Sequence, residues 1–571
     1  MMHNRNLLPM VLCALTLAGC TSSPKHEMPT EPTHKAQFDF LTYQGEDPYV
    51  KEHPLENPET DFYNPILPGF YSDPTLCTNG KGDYYLATST FAYFPGVPIF
   101  HSRDLVNWRQ IGHVLSRESQ LNNMVGQHVS GGIFAPGLTY DAKTETYYMI
   151  TTNVGPGNFY VKTKDPAGAW SDPIYLPSVR GIDPSIFIDD DGRAYVVNND
   201  DAPNDKPDYS GHRTIRLQEL DLATDQMKGE RRIILNKGSR PEEKPIWCEG
   251  PHLYKINGYY YLMTAEGGTG DWHSEVIYRA KSVWGPYKPY DGNPILTQRT
   301  LDNNRPYPIT CTGHADIIEV GEGEWWAVFL GCRPVKDNFE NLGRETFLVP
   351  VTWTSDGWPV ICQPGETVAR IVKREGVKPE HRDGADGWIG NGNFGYQYEF
   401  DDDELPLTFV TLRTSGKDKI SLTSRPGWLT LSEDTISLGD KATPSAVFTR
   451  LQHHCFTAET RMQYVAAEAN DEAGMTLYKD ETHHLKLLAT QGALQLQKMT
   501  PEGCETLAEQ PLTQGEVDMR IASDGTTFTF SYSVDRGKTW TQMGEPQPAG
   551  FLSTRDAGGF TGTMLGLYCT H

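Results

Sequence analysis

The 571-residue chain reads as an all-β protein, a five-bladed β-propeller followed by a C-terminal β-sandwich. Two observations predict this. A short strand with paired aromatic residues recurs five times, as "GDYYLATST", "ETYYMITTN", "GRAYVVNND", "GYYYLMTAEGG" and "GEWWAVFLGC". The repeats lie roughly 50 to 65 residues apart, a spacing that suits propeller blades with insertions. After "VTWTSDGWPVI", residues 351–361, the repeat stops, and alternating strands separated by turn residues continue to the end. That pattern fits an antiparallel two-sheet module.

Taken in order, the chain opens with a basic residue, Arg5, an apolar run from Leu7 to Leu17, and Leu17-Ala18-Gly19-Cys20. The run is too short for a transmembrane helix and has the form of a secretory signal. Small residues before a cysteine resemble a bacterial lipoprotein cleavage box, so residues 1–20 are read as the lipoprotein signal segment, with cleavage expected before Cys20 and Cys20 becoming the lipidated first residue. Residues 21–60 open with "TSSPKHEMPTEPTHK", a composition expected of a tether. The protein is therefore expected outside the cytoplasm, anchored by lipid on the periplasmic side or at the cell surface. Thr21 and Ser22 follow the cysteine without an aspartate, which argues against inner-membrane retention.

The propeller is assigned to residues 61–375. Each aromatic strand is preceded by a leader strand, opening at Asp73, Ala135, Asp183, Glu249 and His314. In a propeller the innermost strands line the axis, so these five residues form a predicted ring at one end of it. Proline beside such a residue suits a strand end, where no ladder hydrogen bond is lost. Three carboxyl groups around one axis repel each other, which makes a purely structural role costly. Residues 363–390 read as a linker, and residues 391–571 as the sandwich. "HSRDLVNW", His101 to Trp108, is read as a packing motif without chemistry.

Composition narrows the function. The chain carries 50 basic and 74 acidic residues, a net charge of -24, which disfavours nucleic acid and anionic lipid surfaces. With 12 Trp and 28 Tyr it is suited to a neutral, stackable ligand such as a sugar. None of the 10 cysteines falls in a zinc-type spacing.

Three ring acids suggest glycosidic bond cleavage with inversion, in which a protonated carboxyl serves the leaving oxygen and an ionised one activates water. Asp73 and Glu249 lie across the ring from each other, and Asp183 neighbours Glu249. A second anion beside Glu249 keeps it protonated. The roles follow: Asp73 general base, Glu249 general acid, Asp183 modulator and orienter.

"NPILPGFYSDPTL", "STFAYFPGVPIFHSRDLVNW", "GIDPSIFIDDDGRAYV", "EGPHLYKINGYYYLMTAEGG", "TGHADIIEVGEGEWWAVFLGCRP" and "GRETFLVPVTW", in this order, resemble glycoside hydrolase family 43. The likeness is to its two-domain β-xylosidase and α-L-arabinofuranosidase branch, and extends more weakly to "PSAVFTRLQHH" and "FTGTMLGLY". It implies a five-bladed propeller, a jelly-roll, concanavalin-like sandwich packed over it, and an inverting exo-hydrolase. The family's base, modulator and acid match Asp73, Asp183 and Glu249. It also implies substrate contacts from Phe91, Phe134, His314 and Arg344. Their alternatives are a core aromatic for Phe91, a satisfied buried histidine for His314, and a salt bridge to Glu345 or another acid for Arg344. Calcium near His314 is compatible with the family, but no acidic loop here has calcium-site spacing, and no cofactor is required.

The chain departs from the family at Phe134-Ala135-Pro136-Gly137, where many relatives carry Trp-Ala-Pro followed by Asp or His. The loss of a polar side chain at Gly137 is expected to change what the pocket hydrogen-bonds. The expected activity is release of terminal β-D-xylose, with α-L-arabinofuranose second, from fragments of plant hemicellulose. A carbohydrate-binding lipoprotein without catalysis, and an endo-acting arabinanase-type hydrolase, are the alternatives. The sequence leaves the oligomeric state open.

Overall fold

The structure is a computed structural model that describes residues 31–321, 323–377, 384, 387–513 and 515–571. The signal segment, Cys20 and the start of the expected tether lie outside these residues. No described helix is long and apolar enough to cross a membrane.

Five antiparallel sheets make the propeller. Their innermost strands are Thr75–Thr78, Gly137–Asp141, Ile182–Ile188, Glu249–Ile256 and Thr310–Gly321. Each contacts the next around a closed ring, the fifth returning to the first. The aromatic-pair strands, among them Tyr84–Ala87 and Tyr259–Glu266, are second from the axis in every blade. Side chains stitch neighbouring inner strands together. Thr75 Oγ1 accepts from Leu138 N at 3.1 Å, and Ser185 Oγ donates to Pro251 O at 2.6 Å. Asp316 accepts from Leu76 N at 2.8 Å and from the Tyr254 hydroxyl at 2.7 Å, tying blades five, one and four. Trp108 of the packing motif is fully buried, its indole N–H on Leu105 O at 2.7 Å.

The sandwich pairs a nine-stranded sheet with a six-stranded one. Phe38, Leu41, Met475, Leu487 and Leu567 are among the buried residues between them. One expectation is corrected here. Residues 21–60 are not a tether throughout, because Lys35–Glu46 is a strand inside the nine-stranded sheet, between Leu429–Ser432 and Cys455–Gln463. Ala36, Phe38, Leu41 and Tyr43 face the core, and a bulge between Phe38 and Leu41 resets the alternation. That break in the period of two conceals the strand in the sequence. The expected linker is also partly structured. Ile371–Lys373 pairs with Asp61–Tyr63, and Ile389 N donates to Trp108 O at 2.8 Å on blade one.

Sandwich and propeller share a core. Phe70, Phe91 and Tyr93 of the propeller pack with Leu412, Phe448 and Tyr568 of the sandwich. Thr411–Leu412 pairs directly with Tyr93–Phe94. Buried Arg333 donates to Glu345 at 2.6 and 2.7 Å, to Asp47 at 2.6 Å and to Gln452 O at 3.3 Å. A fully satisfied buried ion network of this kind costs desolvation, and removing one member strands the others.

Candidate active site

All five predicted ring residues, Asp73, Ala135, Asp183, Glu249 and His314, line one cavity of about 310 Å³ at the end of the propeller axis. The backbone aims them there by an unusual route. Asp73, Asp183 and His314 adopt left-handed φ angles of 56°, 52° and 54°. This region is uncommon for a residue with a Cβ, and asparagine, aspartate and histidine are the side chains enriched there. The register of blades three, four and five breaks at these strand starts, so that bulges turn the side chains inward. Proline after Asp73 and Asp183 leaves no N–H to be orphaned. Gly250, at φ 57°, lies under the His314 ring, where an added Cβ would be 2.8 Å from Nε2.

The three acids differ in their surroundings. Asp73 is buried, which alone would raise its pKa. The Arg344 guanidinium at 3.0 Å, His314, and the Ser89 hydroxyl at 2.6 Å outweigh burial and hold it below the usual carboxylate range. Glu249 is equally buried but forms no ion pair among the described residues. Lys255, its nearest basic neighbour downstream in sequence, is committed to Asp189 at 2.6 Å and Asp190 at 2.9 Å. Burial, then the negative charge of Asp183, push Glu249 up to about 8, against the opposing pull of His314. Asp183 accepts from Gly250 N at 3.3 Å and lies 3.5 Å from His314 Nε2. Burial disfavours a charged His314, yet Asp183, Asp73 and Glu249 together raise it to about 9. One cavity thus holds a neutral carboxylic acid, an ionised carboxylate and an imidazolium at neutral pH.

Aromatic rings wall the cavity. Phe91 stacks on Phe560 at 5.7 Å and meets Phe134 edge-on at 5.5 Å. Arg344 lies against Phe91 and Phe560 at 5.7 and 5.5 Å. Phe560 comes from the sandwich, and Ser130 Oγ accepts its backbone N–H at 2.9 Å. The sandwich therefore completes the pocket. Arg344 pairs with Asp73 and not with Glu345, which belongs to Arg333.

The Gly137 expectation is corrected. Gly137 is not part of the cavity wall; a Cβ there would lie 2.8 Å from Pro184 O and 2.9 Å from Ser185 Cα. The residue is small because blades two and three approach closely at this point. A calcium ion takes six to eight oxygen ligands. Among the described residues, His314 belongs to no convergent set of three or more His, Cys, Asp or Glu ligand atoms. These side chains alone do not fit such an ion.

Comparison with known proteins settles the family. Residues 62–359 match the model for glycosyl hydrolases family 43, and residues 397–571 the beta-xylosidase C-terminal concanavalin A-like domain. The chain belongs to glycosyl hydrolase family 43. It is 36% identical to a non-reducing end alpha-L-arabinofuranosidase of Bacteroides ovatus, covering 89% of this chain and 91% of that protein. It is 38% identical to a xylosidase/arabinosidase of Butyrivibrio fibrisolvens, covering 89% and 95%. Among solved structures, a GH43_12 protein from a capybara gut metagenome superposes with a TM-score of 0.86 at 41% identity, covering 94% and 99%. A xylan beta-1,4-xylosidase from Bacillus halodurans gives 0.78 at 32%, covering 89% and 96%.

This family 43 protein is a glycoside hydrolase with a propeller and a concanavalin-like sandwich. Every site residue predicted in the propeller borders the cavity. Trp247, Thr269 and Phe560 also border it and were not foreseen. Trp247 immediately precedes "CEG", and its aromatic character two residues from Glu249 was the available signal. Phe560 offered none, because nothing local in "GGFTG" points to a pocket 200 residues or more away along the chain.

Proposed function

We propose that this protein is an exo-acting, inverting hydrolase that removes one terminal pentose from fragments of plant hemicellulose. β-D-xylose is the first substrate assigned and α-L-arabinofuranose the second. The names of the two relatives given above support both sugars, one being an alpha-L-arabinofuranosidase and the other a xylosidase/arabinosidase. The observation that carries the mechanism is the division between two carboxyl groups in one cavity, Asp73 ionised and Glu249 neutral.

In this reading Asp73 takes a proton from a water whose oxygen attacks the anomeric carbon. Glu249 gives its proton to the glycosidic oxygen as that bond breaks. Charge then moves from Asp73 to Glu249, and the sugar leaves with inverted configuration. Arg344 holds the base in its ionised form, and burial, reinforced by Asp183, keeps the acid neutral. Phe91, Phe134 and Phe560 supply an apolar wall for the sugar face. Exo action is supported by the sandwich segment around Phe560, which makes the site a pocket instead of an open groove. The chemistry needs no metal. Export and anchoring through Cys20 complete the proposal, and a Cys20→Ala protein recovered in the soluble fraction supports them.

The test is hydrolysis of xylobiose and of a short arabinan oligosaccharide by wild type, Glu249→Gln and Asp73→Asn, with NMR of the first-formed anomer. Loss of at least about 10³-fold in both variants, with inversion by wild type, is expected. Net retention, or full activity in either variant, overturns the assignment.

A further inference from the structure

Two of the chain's acids sit in the sandwich with no lysine or arginine partner among the described residues. Glu433 and Asp471 have side chains only 5% and 0% exposed, and among the described residues their ion-pair partners are His34 and His571. Nearby Lys419 is occupied by Asp434. We infer that His34, Glu433 and Asp471 form a zinc-binding site that fastens the entry of the first sandwich strand, with His571 holding Asp471 by a hydrogen bond.

The ligand atoms already converge. His34 Nδ1 is 2.6 Å from Glu433 Oε2, and His571 Nδ1 is 2.6 Å from Asp471 Oδ1. The ligand atoms of His34, Glu433 and Asp471 all lie within 4.8 Å of one another. That limit admits the roughly 3.3 Å edge of a tetrahedron with about 2.0–2.1 Å zinc–ligand bonds, three of whose corners these side chains would supply. One imidazole and two carboxylates form a donor set for zinc rather than for calcium, which prefers oxygen throughout.

The remaining oxygens are held from outside. The Tyr464 hydroxyl donates to Glu433 Oε1 at 2.7 Å, and Ala467 N and Glu468 N donate to Asp471 Oδ2 at 2.7 and 2.8 Å. Oε2 and Oδ1 are thereby left for the imidazoles, the arrangement that outer contacts give to metal ligands. Neither carboxylate has a lysine or arginine counter-charge among the described residues, and a divalent cation supplies one. The site joins the segment before Lys35–Glu46 to the starts of Glu472–Asp480 and the end of Met564–Thr570. That last strand, seven residues long, separates it from the Phe560 segment by roughly 23 Å at about 3.3 Å per residue. Its role is structural.

The test uses the full chain, chelated, desalted and titrated with zinc chloride by calorimetry, beside a His34→Ala/His571→Ala variant. Both side chains are substantially exposed, so the core is untouched. One tight equivalent is expected in wild type, with binding weakened at least about tenfold in the variant. Zinc should raise the melting temperature of wild type alone and leave hydrolysis of xylobiose unchanged in both. Equal zinc affinity in the variant overturns the proposal. So does a wild-type melting temperature that saturating zinc does not move, which would leave two histidine–carboxylate ion pairs.

Discussion

Replacing Asp183 by asparagine isolates the charge that tunes Glu249. The amide keeps the shape and an acceptor for Gly250 N, and removes the anion. Glu249 stands at about 8 against an ordinary 4.5, close to 5 kcal/mol in favour of the neutral acid at about 1.36 kcal/mol per pH unit. Burial is the larger cause and survives the substitution; Asp183 is the next. Neighbouring charges move a pKa by about one to three units, so removing this one by about 1.5 leaves Glu249 near 6.5. The protonated fraction at pH 7.5 then falls from roughly three-quarters to roughly one-tenth, an about eightfold loss of kcat/KM that disappears below about pH 6. His314 works against this. It is held protonated by Asp183, and its positive charge lowers Glu249, so part of the loss is offset and eightfold is the upper bound. The assay is the initial rate on xylobiose from pH 5 to 9.5, since a nitrophenyl leaving group needs little protonation. A basic limb that stays in place, or a loss of equal size at every pH, would refute charge tuning and leave Asp183 a positioning residue.

Further outcomes follow from the same contacts. Arg344→Ala removes the main support of ionised Asp73, so the acid limb of the kcat/KM profile should rise by about one unit, read from initial rates across pH. Glu249→Gln should stabilise the fold against pH. The folded pKa exceeds the unfolded one, so wild type loses stability as pH rises from about 4.5 to 8, and the glutamine does not. The variant's melting temperature should match wild type at pH 4.5 and exceed it by about 2 °C or more at pH 8.5 in calorimetry. Phe560→Ala uncovers the pocket from the sandwich side and should raise KM about five- to tenfold with kcat nearly kept, read from steady-state kinetics. Truncation to residue 31 should leave a folded enzyme, whereas truncation to residue 47 removes an interior strand and should give aggregate, as size exclusion would show.

The propeller was legible because it repeats. Five leaders and five aromatic strands carry the same message, so one ambiguous segment does not spoil the count. The sandwich strands were legible wherever alternation was unbroken, as in Glu472–Asp480 and His483–Thr490. Lys35–Glu46 was missed for two reasons. Its bulge breaks the period, and the Pro- and Thr-rich stretch before it lent its character to everything up to the propeller. Its neighbours are Leu429–Ser432 and Cys455–Gln463, some 400 residues downstream, and no local pattern announces a partner that distant.

The site divides along the same line. A ring position follows from topology, because equivalent residues of equivalent blades must meet at the axis; that is why Asp73, Asp183, Glu249 and His314 were found together. What topology does not supply is the backbone device that aims them. The expectation for a residue before proline is extended, yet Asp73 and Asp183 are left-handed. This conformation is costly for a residue with a side chain, and in blades one, three and five it recurs at the ring residue that faces the cavity. Strain repeated at the same place, beside a close-packed His314 and Gly250, is strain that the surrounding sheets hold in place. The rigid propeller therefore does more than carry the acids. It keeps Glu249 buried and holds Asp183 beside it, and the high pKa of Glu249 rests on both, burial first.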